Sequence, residues 1–312
     1  MRGKRVVITG GAGFIGSNLA EELAGENEVI LIDDLSTGKV ENIEGLLKRG
    51  AVKLVKGSVT DLDFLREQFK GADYVFHLAA LPSVPRSVAD PLASNEINLT
   101  GTLNVLIAAR DNRVSKVIYA SSSSVYGDMP NSPKSENMPP SPMSPYGVGK
   151  LAGEYYCQVF TQVYGLPTIS LRYFNVYGPK QDPSSEYAAV IPRFIVSILK
   201  GEPPIIFGDG QQTRDFTFVQ DVVEANILAA ESEATGVFNV GSGSQISINE
   251  LARLIMRLVG KNLELVHASP RPGDVRHSLA DISKAEEAIG YRPRYNLEQG
   301  LKETIEWFSS RI

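Results

Sequence analysis

Cysteine is almost absent from this chain of 312 residues, in which Cys157 is the only one. A single cysteine excludes an internal disulfide framework. Cys157 falls within an apolar helical pattern, so we expect it to be a small buried residue. A chain without disulfides is typical of a reducing compartment, and we therefore expect a cytoplasmic protein.

Long apolar runs and clusters of positive charge are missing as well. No stretch reaches the roughly 20 apolar residues that a membrane-spanning helix needs. The opening residues MRGKRVVITGG lead directly into a strand pattern without an apolar leader. The formal net charge is −5, and no run of Lys or Arg rises above background. We therefore expect neither a membrane nor a nucleic acid as a partner.

Short β-branched runs alternate with longer helical patterns through the first half of the chain. The short runs are almost continuously apolar, as in strands that are buried on both faces of a parallel sheet. This alternation predicts an α/β fold with a doubly wound parallel sheet. We place strands at residues 5–9, 28–33, 52–57, 74–79, 116–121 and 168–174, and helices at 18–24, 61–69 and 91–112.

Four glycines stand where the first predicted strand meets a helix, in the stretch VVITGGAGFIGSNLAEELA at residues 6–24. Gly10, Gly13 and Gly16 have the spacing G-x-x-G-x-x-G, and Gly11 lies within it. Because these residues have no Cβ atom, backbone N–H groups and a helix N-terminus can approach a pyrophosphate. In this strand-to-helix context, the glycines predict a dinucleotide site.

An aspartate ends the second predicted strand, twenty residues after Gly13. The carboxylate of Asp33 can accept hydrogen bonds from both hydroxyls of an adenosine ribose, and it repels a 2′-phosphate. We therefore predict NAD rather than NADP as the cofactor. The turn after this strand contains Asp34, Ser36, Thr37 and Gly38.

The pattern loosens after about residue 175, where prolines punctuate shorter elements. Helical patterns recur at 247–259, 281–289 and 297–310, and no Gly- or Ser-rich linker separates the two halves. We predict an NAD-binding Rossmann domain at 1–175. Residues 176–312 are predicted to form mainly a smaller α/β substrate lobe, interleaved with the first domain.

A run of hydroxyls, ASSSSVYGD, follows the fifth predicted strand, and PYGVGK carries Tyr146 and Lys150 further along. Spaced four residues apart, Tyr146 and Lys150 lie on one face of a helix. A phenol with a pKa of about 10 is a weak base at neutral pH. A neighbouring ammonium and the positive ring of NAD⁺ favour the phenolate and lower that pKa. We predict that Tyr146 shuttles a proton to and from a substrate hydroxyl that a strand-end serine also holds.

These motifs resemble those of the extended short-chain dehydrogenase/reductases and, among them, the UDP-sugar 4-epimerases. The resemblance covers nearly the whole chain and rests on TGGAGFIGSNL, HLAALPSVPRSVADP, ASSSSVYGD, SPYGVGK, LRYFNVYGP, GDGQQTRDFTFVQDVVEA, FNVGSG and RPGDVRHSLAD. It implies NAD as cofactor and a catalytic set of Ser122, Tyr146 and Lys150. The cofactor contacts that it implies are Gly10, Gly13, Phe14, Ile15, Gly16, Asp33, Asp34, Ser36, Thr37, Gly38, Ser58, Val59, Leu78, Ala79, Ala80, Tyr146 and Lys150.

One position departs from the family pattern. After the third strand, many relatives have an aspartate that meets the adenine amino group, whereas this chain has Ser58. A hydroxyl can still contact adenine, but the hydrogen bond is weaker than one to a carboxylate. The contribution of Ser58 to adenine binding is therefore left open.

The resemblance also implies a site for the UDP-sugar. In the family, Asn175 corresponds to a residue on the diphosphate side, and Arg214, Arg271 and Asp274 to residues that grip the diphosphate and the uridine ribose. The planar fork of arginine suits this task because it donates two hydrogen bonds at once. The implied substrate contacts are Ser83, Ser122, Ser123, Ser124, Asn175, Ala189, Val190, Ile205, Phe207, Arg214, Phe216, Arg271, Asp274 and Ser278.

The size of the sugar is expected to depend on Ser278, four residues after Asp274. In the family this position lies beside the sugar, and a serine leaves space for an acetamido group where a tyrosine does not. Ser123 and Ser124 add hydroxyls on the neighbouring wall, where a buried amide needs partners. The segment QDPSSEYAAVIPRF also resembles the branch of the family that prefers N-acetylated sugars.

The sequence therefore predicts an NAD-dependent 4-epimerase that interconverts UDP-GlcNAc and UDP-GalNAc, and also UDP-Glc and UDP-Gal, through a 4-keto sugar. A UDP-glucuronate 4-epimerase stays open, because it can share the serine run and needs only a further cation or donor for the carboxylate. Related dehydratases and decarboxylases add acidic residues near the serine, which SSSSVYG lacks. A non-catalytic NAD-binding protein is a remote alternative. The resemblance implies a homodimer through the 91–112 helix and the Tyr146 helix, and no metal is expected.

Overall fold

The central feature of the fold is a seven-stranded parallel sheet, seen in a computed structural model that describes residues 1–129, 132–183, 189–270 and 275–312. The strands lie in the order β3-β2-β1-β4-β5-β6-β11, and every neighbouring pair is parallel. The prediction of a doubly wound α/β fold is thus confirmed. The strands of this sheet are β1 (Arg5–Thr9), β2 (Glu28–Asp33), β3 (Val52–Lys56), β4 (Tyr74–His77), β5 (Lys116–Ser122), β6 (Thr168–Tyr173) and β11 (Gly236–Val240).

Shorter strands form three two-stranded sheets in the second half of the chain, and helices surround all of them. The short strands are β7 (Val176–Tyr177), β8 (Ile205–Phe207), β9 (Thr213–Arg214), β10 (Thr217–Phe218), β12 (Ile246–Ser247) and β13 (Val266–Ala268). The α-helices are α1 (Phe14–Leu23), α2 (Glu44–Lys48), α3 (Leu62–Gln68), α4 (Val84–Ala89), α5 (Pro91–Asn95), α6 (Gly101–Asp111), α7 (Pro145–Tyr164), α8 (Val190–Lys200), α9 (Val219–Glu231), α10 (Ile248–Val259), α11 (Ser283–Ile289) and α12 (Leu297–Ser309).

Apolar side chains on both faces of the sheet explain its three-layer arrangement. On β1, Val6 and Ile8 pack with residues of α1, α9 and α11, whereas Val7 packs on the other face with α3, α6 and α7. All three side chains are fully buried. The continuous apolar runs of the sequence therefore mark strands that are covered on both sides.

Side-chain caps begin several helices at the predicted residues. Asp61 accepts a 3.0 Å hydrogen bond from the Phe64 backbone N–H at the start of α3. Ser247 with Glu250 forms a capping box at α10. Cys157 is buried on α7, as predicted.

The helix predicted at 91–112 is interrupted, which corrects that expectation. It consists of α5, a π-helical turn at Glu96–Thr100, and α6. Asn98 in the π-turn is buried, and its side chain bonds both the N–H and the C=O of Leu81. We attribute the irregular turn to this contact, because one extra residue per turn re-aims a side chain within a helix.

The second half of the chain contributes to both parts of the molecule. Strand β11 lies beside β6 in the main sheet, although it was not among the predicted strands. Helices α8, α10 and α12 pack around a separate apolar cluster that contains Phe194, Phe218 and Leu251. The division into 1–175 and 176–312 stays a prediction. Across the described residues, we find no helix with the length and apolar character to cross a bilayer.

Candidate active site

A large cavity opens at the carboxyl ends of the central strands, where ligands bind in sheets of this topology. Its volume is about 1040 Å³. Every residue that the sequence assigned to the cofactor lines it, as do two of the residues assigned to the substrate. These lining residues are Gly10, Gly13, Phe14, Ile15, Gly16, Asp33, Asp34, Ser36, Thr37, Gly38, Ser58, Val59, Leu78, Ala79, Ala80, Tyr146 and Lys150, together with Ser83 and Ala189.

The glycine loop is too closely packed for side chains at two of its positions. Gly10 has φ of +72°, and a Cβ there would lie 2.8 Å from the backbone nitrogen of Ala79. A Cβ on Gly16 would lie 2.2 Å from the carbonyl oxygen of Gly10. Helix α1 follows at once, and its N-cap residue Gly13 makes no side-chain cap. The first N–H groups of α1 are thus left for a ligand in the cavity.

Asp33 ends β2 with a carboxylate that the backbone holds in place. Its two oxygens accept 2.9 Å hydrogen bonds, one from the N–H of Ala12 and one from the N–H of Leu35. Burial raises the pKa of this carboxyl group, while the two N–H bonds act in the opposite direction. Each oxygen can accept a further hydrogen bond, so the group can receive two hydroxyls.

Tyr146 and Lys150 line this cavity, and Ser122 adjoins them from a second element. Tyr146 and Lys150 lie one turn apart on α7, and the Ser122 hydroxyl at the end of β5 is near enough to the phenol of Tyr146 to influence its pKa. The ammonium of Lys150 donates a 2.8 Å bond to the carbonyl oxygen of Ala120. It lies 5.8 Å from the centre of the Tyr146 ring. A hydroxyl, a phenol and an ammonium therefore meet at one place.

Burial dominates the acidity of the tyrosine and the lysine. It raises the pKa of Tyr146, and the Ser122 hydrogen bond only partly opposes this. It also lowers the pKa of Lys150 to about 8. The sequence predicted that the lysine would lower the pKa of the tyrosine. In the structure, desolvation of the phenolate by burial is the larger effect.

A chain of hydrogen bonds behind the cavity holds the segment that follows β4. The hydroxyl of Thr102 donates to the Asn98 carbonyl at 2.7 Å, so it must accept the 2.9 Å bond from Nε2 of His77. Nδ1 of His77 then accepts from Thr9, 2.8 Å away, whose oxygen accepts from the N–H of Ala79 at 3.3 Å. Burial lowers the pKa of His77 to about 3, so the ring is neutral.

Comparison with known proteins gives this architecture a family. The model of the NAD dependent epimerase/dehydratase family matches residues 6–241. The chain belongs to this family. The resemblance that the motifs showed is thereby confirmed, and NAD is the cofactor of the family.

Individual relatives match over essentially the full length. The solved structure of UDP-N-acetylglucosamine 4-epimerase from Methanobrevibacter ruminantium M1, in complex with UDP-N-acetylmuramic acid, has 46% identity, a TM-score of 0.97 and 100% coverage of both chains. UDP-glucose 4-epimerase from Mycolicibacterium smegmatis is 41% identical over 312 residues, which is 98% of this chain and 99% of that protein. UDP-glucuronic acid 4-epimerase from Bacillus cereus, solved with UDP-glucuronic acid and NAD, has 34% identity and a TM-score of 0.92, covering 99% of this chain and 100% of that one.

The residues of the cavity fit the NAD that the family requires. The glycine loop lines the cavity, and it packs so closely on neighbouring backbone that Gly10 and Gly16 have no room for Cβ atoms. The uncapped start of α1 suits a pyrophosphate, and the Asp33 carboxylate suits a ribose diol. Ser58 also lines the cavity, where its hydroxyl is hydrogen-bonded to the hydroxyl of Thr60 at 2.9 Å and accepts from the Thr60 N–H at 3.2 Å.

Several residues predicted to bind the UDP-sugar lie away from this cavity. Arg214 and Phe216 line a second cavity of about 800 Å³ in the second half of the chain. Asn175 donates its side-chain amide to the carbonyl oxygen of Asp215 at 3.0 Å. Ile205 is exposed on β8, and Phe207 ends that strand. Val190 begins α8, and Arg271 and Asp274 lie outside the described residues.

The three serines adjoining the strand end form one tight turn. Ser122 accepts a 3.2 Å hydrogen bond from the N–H of Ser124, and a 3₁₀ turn covers Ser123–Tyr126. The hydroxyl of Ser124 is buried and has no hydrogen-bond partner among the described residues. Ser278 is 9% exposed, and its N–H donates to the carbonyl oxygen of Thr213 at 3.2 Å. These positions stay predictions as substrate contacts.

Sequence reasoning missed other residues that line the large cavity. Lys39 and Asn42 follow β2, and both bond the carbonyl oxygen of Ala12, so they brace the glycine loop. Ser83, which the resemblance placed at the substrate site, has φ of +101°, a strained backbone at the wall of a ligand cavity. No sequence pattern marks Lys39 or Asn42. Other missed lining residues are Arg86, Ile97, Ser121, Tyr173, Lys180 and Gln181.

Proposed function

We propose that this protein is an NAD-dependent 4-epimerase that interconverts UDP-GlcNAc and UDP-GalNAc, and also UDP-Glc and UDP-Gal, through a 4-keto sugar. The family to which the chain belongs, and the similarity of the chain to UDP-sugar 4-epimerases, support the enzyme type. The observation that carries the proposal is the placement of Tyr146 and Lys150 in the wall of the cavity that Asp33 also lines, with the ammonium 5.8 Å from the centre of the Tyr146 ring.

Three side chains perform the proton chemistry in this proposal. Ser122 holds the sugar 4-hydroxyl against Tyr146, which takes up its proton as a general base. Lys150, held by the Ala120 carbonyl, places a positive charge near the phenol and favours the phenolate. NAD, which the glycine loop and Asp33 would hold, would supply the acceptor and donor of the hydride at C4 of the sugar. Tyr146 then returns the proton, so the reaction has no net redox change.

The preference for N-acetylated sugars rests on the serines. Within the part of the chain that the structure describes, the buried hydroxyl of Ser124 has no hydrogen-bond partner, and a buried polar group without a partner is costly. An acetamido group beside this turn would supply that partner. A small residue at Ser278 leaves the volume that such a group needs when the 4-keto sugar turns over.

One observation favours the second candidate, a UDP-glucuronate 4-epimerase. This activity needs a cation or donor for the sugar carboxylate. Arg86 lines the same cavity as Tyr146 and is exposed. Within the described chain, no ion pair or hydrogen bond of its guanidinium is seen. Arg86 is therefore available to a carboxylate.

We also propose that the protein is a homodimer through the exposed side of α7. Val148, Tyr155, Val159 and Val163 are 53%, 55%, 44% and 66% exposed, although they are apolar or aromatic residues of one long helix. Leu92 on neighbouring α5 is 82% exposed. Such a stripe is typical of a surface that another subunit covers. The cytoplasmic location stays a prediction.

A panel of UDP-sugars tests the proposed activity. Purified protein, without added cofactor, is incubated separately with UDP-GlcNAc, UDP-GalNAc, UDP-Glc, UDP-Gal and UDP-glucuronate, and the products are separated by chromatography. We expect UDP-GlcNAc and UDP-GalNAc to be interconverted, and also UDP-Glc and UDP-Gal. Turnover of UDP-glucuronate alone would select the second candidate. No turnover, with NAD released on denaturation, would indicate a non-catalytic NAD-binding protein.

A further inference from the structure

A buried ion pair lies directly behind the catalytic residues. Glu154 on α7 and Arg172 on β6 are 3% exposed each. Nε of Arg172 donates to one carboxylate oxygen at 2.8 Å, and its second nitrogen donates to the other oxygen at 2.7 Å. Both charges are thus removed from water and held in a two-point contact.

The pair is joined to the end of β5, where the catalytic serine stands. Ser121 donates its hydroxyl to the same Glu154 oxygen that receives Nε of Arg172. Ser121 is paired with Arg172 in the register of β5 and β6, and it directly precedes Ser122. The carboxylate therefore ties α7 to both strands at the level of the site.

The same arginine also supports the turn after the serines. The guanidinium carbon of Arg172 lies 4.6 Å from the centre of the Tyr126 ring. Tyr126 ends the turn that begins at Ser123, and its hydroxyl donates to Asn239 at 2.8 Å. One guanidinium nitrogen of Arg172 has no hydrogen-bond partner among the residues that the structure describes, so not all donors of the pair are satisfied.

Stability alone does not account for such a pair. Removing two charges from water is costly, and replacing a buried ion pair by apolar residues of similar volume is often neutral or stabilising. The elements that it joins are the ones that carry the reaction. Glu154 follows Lys150 by one helical turn and Tyr146 by two, so all three lie on one side of α7.

We propose that Glu154 is a positioning residue for catalysis. Through Ser121 and Arg172, its carboxylate holds the end of β5 against α7 and thereby sets the separation of the Ser122 and Tyr146 oxygens. Glu154 does not touch the substrate in this scheme. The inference rests on the proposed epimerase function, because it concerns the turnover of that catalytic set.

The first test removes both charges together, so that neither is left buried alone. Glu154→Leu/Arg172→Met keeps the volume of the interior and leaves Ser121 without its acceptor. We expect kcat to fall about tenfold to a hundredfold, as for a displacement of roughly 1 Å. KM for the UDP-sugar should change by less than about twofold, because binding contacts are untouched. Thermal denaturation should show a folded protein.

Ser121→Ala changes the interior less than the double variant does, and it tests the positioning role of Glu154 if the double variant does not fold. It leaves the ion pair intact and cuts only its link to β5. We expect kcat to fall several-fold with KM unchanged. The matched control is Lys116→Met at the opposite end of β5, where a buried ammonium donates to the carbonyl oxygens of Ala229 and Ser232. This control should lower thermal stability but keep kcat.

A structural readout separates this inference from the proposed function. Crystal structures of wild type and Ser121→Ala give the separation of the Ser122 and Tyr146 oxygens without any turnover. We expect a longer separation in the variant. An unchanged separation, or full kcat in a folded variant, would overturn the positioning role. If wild type is inactive on every UDP-sugar, the epimerase proposal fails, while the measured separation still tests the positioning role.

Discussion

The ammonium of Lys150 donates a 2.8 Å hydrogen bond to the carbonyl oxygen of Ala120, two residues before Ser122 on the same strand. The bond joins helix α7 to the end of β5 and keeps the charge 5.8 Å from the Tyr146 ring. A buried lysine with a pKa of about 8 needs such an acceptor to stay protonated near neutrality. The proton chemistry of the site therefore depends on how this helix meets this strand.

Replacing Tyr146 by phenylalanine should remove the proton shuttle with little change of shape. We expect kcat to fall by a factor on the order of 10²–10⁴. Binding of the UDP-sugar, measured by calorimetry, should persist because the ring remains. Tyr155→Phe on the exposed side of the same helix is the matched control and should keep full turnover. Near-normal turnover of the Tyr146 variant would contradict the proposed mechanism.

Asp33 should set the preference for NAD over NADP. Its carboxylate lines the cavity and is braced by two N–H groups, so a 2′-phosphate placed there meets a fixed negative charge. We expect wild type to co-purify with NAD. Asp33→Ser should weaken NAD binding about tenfold to a hundredfold, as expected for lost hydrogen bonds to a charged group, and should improve NADP binding.

The control for the charge change is Asp63→Ser, whose side chain is 92% exposed on α3. It should leave both affinities as in wild type. Equal preference for the two cofactors in wild type, measured by fluorescence titration of the cofactor-free protein, would show that Asp33 does not discriminate between them.

The sheet, and the placement of Tyr146 and Lys150 one turn apart on a helix, were predictable because their patterns are local. Continuous apolar runs identify strands covered on both faces, and the spacing of Tyr146 and Lys150 identifies one face of a helix. The π-turn was not predictable, because it depends on Asn98 bonding Leu81, 17 residues away. Likewise, β11 enters the sheet from the second half of the chain, and only the fold shows that it pairs with β6.

Acidity was the least predictable property of the site. The sequence indicated that Lys150 and Tyr146 are neighbours, and they are. It did not show that burial has a larger effect on the pKa of Tyr146 than the neighbouring charge has. The effect of burial depends on every element that packs around α7. The same holds for His77, whose environment is built from β1, β4 and α6.

Acid should destabilise the fold through His77. Its folded pKa is lowered to about 3, whereas an unfolded histidine has a pKa near 6.5. Below the unfolded value, the unfolded chain therefore binds a proton that the folded chain excludes, and stability falls as pH falls. Between pH 7 and pH 5, this group alone should remove about 2 kcal/mol of unfolding free energy.

The comparison is between wild type and His77→Gln, each unfolded in urea at both pH values with the same cofactor content. The variant lacks the imidazole, so its unfolding free energy should fall by about 2 kcal/mol less than that of wild type between pH 7 and pH 5. Equal losses in the two proteins would show that His77 is not the titrating group.

The exposed stripe of α7 should carry the subunit interface. Val159→Glu/Val163→Glu places two charges in the proposed contact, and desolvating them is costly. We expect wild type to be a dimer and the variant a monomer by size-exclusion chromatography with light scattering. Val266→Glu, on β13 and 43% exposed in wild type, is the control and should remain dimeric. A dimeric α7 variant would show that the interface lies elsewhere. A monomeric wild type would show that the protein is not a homodimer.

The last prediction concerns Ser278 and the size of the sugar. Ser278 is 9% exposed and follows the bridge between Thr213 and His277, so its backbone is fixed and its side chain sets the local volume. A tyrosine there fills the space that an acetamido group needs while the 4-keto sugar turns over. We expect wild type to interconvert UDP-GlcNAc and UDP-GalNAc. Ser278→Tyr should lose this activity and keep part of the activity on UDP-Glc and UDP-Gal.

Initial rates for both sugar pairs in both proteins give the answer. Ser278→Ala is the matched control, because it keeps the small volume and removes only the hydroxyl. Ser278→Ala should retain activity on UDP-GlcNAc and UDP-GalNAc if the volume at this position decides, and lose that activity if the serine hydroxyl contacts the sugar. Two results would show that Ser278 does not limit the size of the sugar. One is a wild type that converts only UDP-Glc and UDP-Gal, and the other is a Ser278→Tyr variant with full activity on UDP-GlcNAc and UDP-GalNAc. A residue that limits sugar size must reduce activity on the larger sugars before it reduces activity on the smaller ones.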